Sequence, residues 1–167
     1  YKHVLQTKIH EVVIHAASTE EQLSEVVEEM DILLTFRISD NMLQKALKLK
    51  WIQSLATGVD YITKNPSLSG EVLITSTRGI HGPQMSEMAF LLMLSLNRNF
   101  PKMIRNQDAA TWERWPGKLL YHKKVCILGL GIIGEEIARK CKAFDMTVHG
   151  IDIIRKERQS IDHFFTP

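Results

Sequence analysis

The amino-acid sequence predicts an α/β protein built on mostly parallel sheet, and three observations carry that expectation. Short β-branched or apolar runs alternate with helical-period segments at βα spacing. A GxGxxG run lies between a strand-like and a helix-like segment. The composition, 44% hydrophobic and 24% charged over 167 residues, is that of an ordinary globular chain.

In chain order, "EVVIHAA" (11–17) is a short β-branched run. "TEEQLSEVVEEM" (19–30) follows with Leu23, Val26, Val27 and Met30 at helical spacing and Ser18 or Thr19 as its cap. "DILLTF" (31–36) reads as a buried strand. Ser39 precedes "DNMLQKALKLK", whose Met42, Leu43, Ala46 and Leu47 share a helical face. "WIQSLA" (51–56) is a third strand running into the turn "TGVD", and "EVLITST" (71–77) a fourth. The loop "RGIHGP" then places Pro83 where a first-turn helical proline is tolerated. Residues 85–99 are apolar almost all round, which predicts a helix buried between two layers, as at a domain junction. The stretch "RNQDAATWERWPGKLLYHKK" reads as mixed and turn-rich. There is no internal repeat.

Several function classes are disfavoured at this level. The formal net charge is +2, with basic residues in small groups such as Lys123–Lys124 and Arg155–Lys156–Arg158, so there is no stripe for nucleic acid. The longest apolar run, 88–96, is too short to span a bilayer, and no membrane partner is expected. Cys126 and Cys141 have no metal-type spacing and read as free, buried, small apolar residues suited to a reducing cytoplasm; no metal site is expected. The chain starts at Tyr1 without an initiator Met and stops at "FFTP" just after a strand and a basic turn, so it reads as a fragment.

The chemistry is concentrated in "VCILGLGIIGEEIARKCKAFDMTVHGID" (125–152). Residues 124–128 form a strand, Gly129, Gly131 and Gly134 the turn, 135–144 a helix with Ile137, Ala138 and Cys141 inward, and "MTVHGID" a second strand ending at Asp152. That is the context of a dinucleotide fingerprint. Gly129 permits the tight turn, Gly131 lets backbone approach a pyrophosphate, and Gly134 lets the helix pack closely. The helix N-terminus, with amides from Ile132 and Ile133 onward, receives the negative charge. Asp152 suits the two hydroxyls of an adenosine ribose, which favours NAD. Arg155 and Lys156 just beyond it could attract a 2′-phosphate, so NADP stays open. S-adenosylmethionine sites use a similar turn and acid, but the upstream sequence argues against one.

Three stretches in order, "WIQSLATGVDYI", "TRGIHGPQMSEMAFLLMLSLNR" and "KKVCILGLGIIGEEIARKCKAFDMTVHGID", together resemble the D-isomer-specific 2-hydroxyacid dehydrogenases over roughly residues 11–155. The resemblance implies a partial flavodoxin-like substrate domain (1–83), then a junction helix and the first βαβ unit of a Rossmann NAD-binding domain (84–167). It also implies hydride transfer between NAD(H) and a small 2-keto or 2-hydroxy acid, of glyoxylate or hydroxypyruvate type, by a cytoplasmic homodimer. Backbone amides at Thr57 and Gly58 would hold the substrate carboxylate as an anion nest; spacing alone reads Gly58 as a turn glycine and Asp60 as a helix cap. Thr77 matches a position that approaches the cofactor, while as a lone strand-end hydroxyl it would satisfy local backbone. His81 is not assigned as the acid, because the family's histidine lies much later.

The family's catalytic arginine, glutamate and histidine are expected beyond residue 167, and the first strand and helix of the substrate domain before Tyr1. The chain alone is therefore expected to be inactive and poorly stable. The sequence departs from the family at Asp145, where glycine is usual at a left-handed helix end, and at Ile132, where many members carry arginine. A non-catalytic NAD-sensing, corepressor-like binder on the same fold is the other reading that these residues allow.

Overall fold

The computed structural model describes residues 1–154 and 158–167. The chain divides into two compact units, Tyr1–Arg78 and Gly79–Pro167.

The first unit opens with helices α1 (Lys2–Gln6) and α2 (Glu20–Ser24). Strand β1 (Ile32–Thr35), helix α3 (Asp40–Lys45), strand β2 (Trp51–Ser54), helix α4 (Asp60–Thr63) and strand β3 (Leu73–Ser76) follow. The strands form a parallel sheet in the order β1-β2-β3, with Leu33 opposite Ile52 and Ile52 opposite Ile74. One face gathers Leu33 and Ile52 with Leu43, Leu49 and Ile62 into a core. Thr19 caps α2, its Oγ1 accepting from the Gln22 N–H at 3.3 Å.

Four expectations for this unit need correction. Residues 11–17 form no strand, because their β-branched side chains stand mostly exposed with no neighbouring strand to pair with. The helix expected over 19–30 ends at Ser24, and Val27 is buried from the turn that follows. Leu47 does not share the buried face of α3: the helix stops at Lys45, and Leu47 is 81% exposed. The strand read as buried at 31–36 is covered on one face alone, since Ile32 and Leu34, with Leu73 of β3, stand exposed on the other.

The second unit contains α5 (Gly82–Arg98), α6 (Phe100–Asp108), β4 (Lys124–Leu128), α7 (Ile132–Ala143), β5 (Thr147–Ile151) and β6 (His163–Phe165). Its sheet is parallel in the order β4-β5-β6. Phe90, Leu120, Ile127, Leu130, Ala138, Cys141, Met146 and Val148 form its core. Helix α7 ends in a Schellman arrangement: Met146 N–H donates to the Cys141 carbonyl at 3.1 Å and Asp145 N–H to that of Lys142 at 3.0 Å. Asp145 has φ 53°, so it does adopt the left-handed conformation for which glycine is usual.

Here too the tertiary structure departs from expectation. Helix α5 is not buried all round. Only Gly82, Ser86 and Phe90 are buried, and Met85, Met88, Leu91, Leu92 and Leu96 are exposed, because α5 packs by one face on α7. Helix α6 was not expected; left-handed Asn99 (φ 54°) ends α5, and its carbonyl accepts from Lys102 N–H at 3.0 Å to begin α6. Strand β6 was not expected either. Asp162 docks it, accepting from Val148 N–H at 2.7 Å and from Lys142 Nζ at 2.7 Å. Cys126 is exposed rather than buried, on the sheet face that α7 does not cover; Cys141 is buried, which pushes its thiol up to about 11.

Candidate cofactor site

Strand β4 delivers the chain to a turn that the surrounding backbone defines closely. Gly129 has φ 88°, a region that strains any other residue, and its N–H donates to the Ile151 carbonyl at 2.8 Å. Leu130 is fully buried, and its N–H donates to Asp152 Oδ2 at 2.6 Å. Gly131 then caps α7 in extended conformation, its carbonyl accepting from Glu135 N–H at 2.9 Å. The amides of the first helical turn have no intrahelical carbonyl to meet and no side-chain cap.

The three glycines differ in what requires them. A Cβ on Gly134 would lie 2.0 Å from the Gly129 carbonyl oxygen, so the contact of α7 with the turn itself demands glycine. A Cβ on Gly131 would meet nothing within 4 Å. The space before that residue is open, directly ahead of a helix N-terminus, which is the shape and polarity a diphosphate needs. The residues present therefore fit a dinucleotide.

Asp152 lies at the end of β5 and is tied into the same turn. Beside the bond from Leu130, its Oδ1 accepts from Ile154 N–H at 3.1 Å. The hydrogen bonds from Ile154 and Leu130, with a smaller attraction from Arg158, hold its carboxyl below the ordinary aspartate range. Ile132 has its side chain toward the glycines of the preceding loop; a Cβ on Gly82 would sit 3.6 Å from it. Ile133 is the second residue of the helix, half-buried. Gly129, Gly131, Ile132, Ile133, Gly134 and Asp152 are thus brought together in the second unit. Arg155 and Lys156, considered above for a 2′-phosphate, lie outside the described residues.

Thr57, Gly58 and Thr77 lie in the first unit, at the C-terminal ends of β2 and β3. Thr57 and Gly58 are exposed, and a Cβ on Gly58 would meet nothing within 4 Å. Thr77 Oγ1 donates to the Leu55 carbonyl at 3.0 Å, closing the end of β3 onto that of β2. Asp60 is the first residue of α4, whose N-cap is Val59 with no side-chain bond. His81 is the N-cap of α5, without a side-chain capping bond.

A polar network under the β2 turn was missed in the sequence. Buried Ser54 Oγ accepts from Ala56 N–H at 3.1 Å and lies 3.3 Å from the Tyr61 hydroxyl, which itself donates to the Phe36 carbonyl. The available signal was a serine at the buried phase of a strand, where the alternation calls for an apolar residue. Among the described residues no group of three potential metal ligands converges, and no helix is long and apolar enough to cross a membrane.

Comparison with known proteins bears on this geometry. Residues 90–166 match the family described as D-isomer specific 2-hydroxyacid dehydrogenase, NAD binding domain. The chain is 28% identical over 150 residues to a D-3-phosphoglycerate dehydrogenase of Methanocaldococcus jannaschii, covering 87% of this chain and 29% of that protein. It is 30% identical over 149 residues to a glyoxylate reductase of Pyrococcus horikoshii, covering 82% and 45%. The crystal structure of a D-isomer specific 2-hydroxyacid dehydrogenase family protein from Aeromonas salmonicida superposes with a TM-score of 0.91 at 30% identity, over 99% of this chain and 54% of that one. The chain thus spans about a third to a half of these relatives. The glycine turn with its anchored aspartate, the two parallel sheets and these matches agree, and the chain belongs to the D-isomer specific 2-hydroxyacid dehydrogenase family.

Proposed function

We propose that the protein is an NAD-dependent oxidoreductase that interconverts a small 2-keto acid, of glyoxylate or hydroxypyruvate type, and its 2-hydroxy acid. Bound NAD(H) supplies or takes the hydride. Gly129, Gly131 and Gly134 shape the turn, the amides of Ile132 and Ile133 hold the diphosphate, and Asp152 receives the adenosine ribose hydroxyls. In the first unit the amides of Thr57 and Gly58 hold the substrate carboxylate, and Thr77 contributes a cofactor contact. Residues 1–83 supply the substrate side and 84–167 the start of the cofactor domain.

The observation that carries this reading is the open space at Gly131 before the N-terminus of α7, with Asp152 fixed beside it. The anchored carboxylate favours NAD, because it would repel a 2′-phosphate. Two free cysteines support a cytoplasmic protein. The exposed apolar residues of α5 support a homodimer through the second unit. The test is a fluorescence titration with NADH and NADPH, followed by NADH oxidation with glyoxylate and hydroxypyruvate and by light-scattering mass. Tighter NADH binding and turnover of a 2-keto acid are expected. Absence of NADH binding ends the cofactor assignment; binding without turnover of any small 2-keto acid ends the enzymatic one.

A further inference from the structure

The cofactor turn has an electrostatic problem that one arginine offsets. Glu135 sits in the first turn of α7, where a carboxylate interacts favourably with the helix dipole. That is also the field a diphosphate would occupy, so Glu135 and a bound dinucleotide compete. Asp152 adds a second negative charge on the other side of the glycine turn. Arg158, from the segment between β5 and β6, places Nη1 2.7 Å from Glu135 Oε2. Its side chain is only 11% exposed, against 54% for Glu135, so the guanidinium is held inward rather than extended into water. Its attraction also reaches Asp152. The weight of this half-exposed pair lies less in stability than in the field it sets at the turn.

We infer that Arg158 is a positioning residue of the cofactor site: by neutralising Glu135 it keeps the first turn of α7 receptive to the diphosphate of a dinucleotide. The inference rests on the cofactor reading above. Without Arg158 the turn is flanked by two uncompensated carboxylates, and the incoming diphosphate meets both. With Arg158 present and Glu135 neutral, Arg158 faces Asp152 as its sole carboxylate partner at the turn, and the diphosphate meets one negative charge fewer.

The test measures NADH affinity by fluorescence titration of the intact protein at low and high salt. The variants are Arg158→Ala, Glu135→Gln and the two combined. Arg158→Ala is expected to weaken NADH about three- to fivefold at low salt, the size of an incompletely screened surface charge. Glu135→Gln is expected to tighten it about twofold, and the double variant to return to within about twofold of the parent. All these differences should fade at high salt, where the screening length falls to about 3 Å at 1 M. Unchanged affinity in Arg158→Ala, or a double variant as weak as Arg158→Ala, overturns the inference. If Arg158→Ala fails to fold, Glu135→Gln decides alone, and weaker NADH binding by that variant overturns it. A parent protein that binds NADH while these variants do not differ refutes the role of Arg158 only; a parent that binds none refutes the cofactor assignment as well.

Discussion

Two turns in this chain leave a parallel strand and enter a helix, one after β2 in the first unit and one after β4 in the second, and they are held by different means. The β2 turn is closed by side chains: Ser54, Tyr61 and Thr77 tie together the ends of three strands, and Gly58 is free of neighbours. The β4 turn adds close backbone packing, Gly134 lying against the Gly129 carbonyl, to a single side-chain tie in which the Asp152 carboxylate accepts from the Leu130 amide. A glycine can therefore be required by the chain itself, as Gly134 is. It can also be required by something that the chain is shaped to receive, and Gly131 and Gly58 both stand before open space.

That distinction can be broken by experiment. Gly134→Ala places a Cβ 2.0 Å from a backbone oxygen that has little room to yield, and should destabilise the second unit by about 3 kcal/mol in urea unfolding. A loss below about 1 kcal/mol would show that the turn can relax. Gly131→Val should leave unfolding nearly unchanged while lowering NADH affinity by about 100-fold or more, some 2.7 kcal/mol. Equal NADH binding by this variant would refute the placement of the diphosphate.

Asp152→Ala should lower NADH affinity about tenfold and bring NADPH closer to it, with some loss of stability because the buried Leu130 amide loses its acceptor. A tenfold change corresponds to about 1.4 kcal/mol. Asp152 also sets a pH dependence. Its folded pKa is depressed, so its contribution is complete above the unfolded value of about 3.9 and is lost only as pH falls through the folded one. NADH affinity attributable to this carboxylate should be flat from about pH 8 to about pH 5; a fall within that window, tracked by titration, would mean that Asp152 is not the group that titrates.

Smaller effects complete the contrast. Ala110 follows α6 with φ 49°, a conformation that costs a residue with a Cβ about 1 kcal/mol, so Ala110→Gly should raise stability by up to that amount. Gly58→Ala should change unfolding by less than about 0.5 kcal/mol, since nothing opposes the added methyl group. A larger loss there would mean that the β2 turn is as tightly specified as the β4 turn.

Much of this arrangement was legible in the residues. The strand at 124–128, the helix after the glycines and the acid at 152 follow from local rules, each requiring only a turn, a period and a strand-end position. The left-handed Asp145 was legible for the same reason, because a helix commonly ends on a residue in that conformation. Strand β6 was not, since three residues exist as a strand only through pairing with β5 and the docking of Asp162. Helix α6 was hidden by Asn99 and Pro101, which read locally as a break and serve instead as the cap and first turn of a new helix.

By itself, then, the sequence determined where strands and helices begin around the glycine turn, the direction of the sheet and the family to which the chain belongs. Tertiary structure decided burial and engagement: which faces of α5 and of the two sheets meet another layer, that Cys126 lies outward while Cys141 lies inward, that Asp152 anchors Leu130, and that Arg158 reaches Glu135. The physical reason is range. Turn conformation and helical period act over a few adjacent residues, whereas burial and ion pairing depend on which distant segment packs across, as with the 23 positions that separate Glu135 from Arg158.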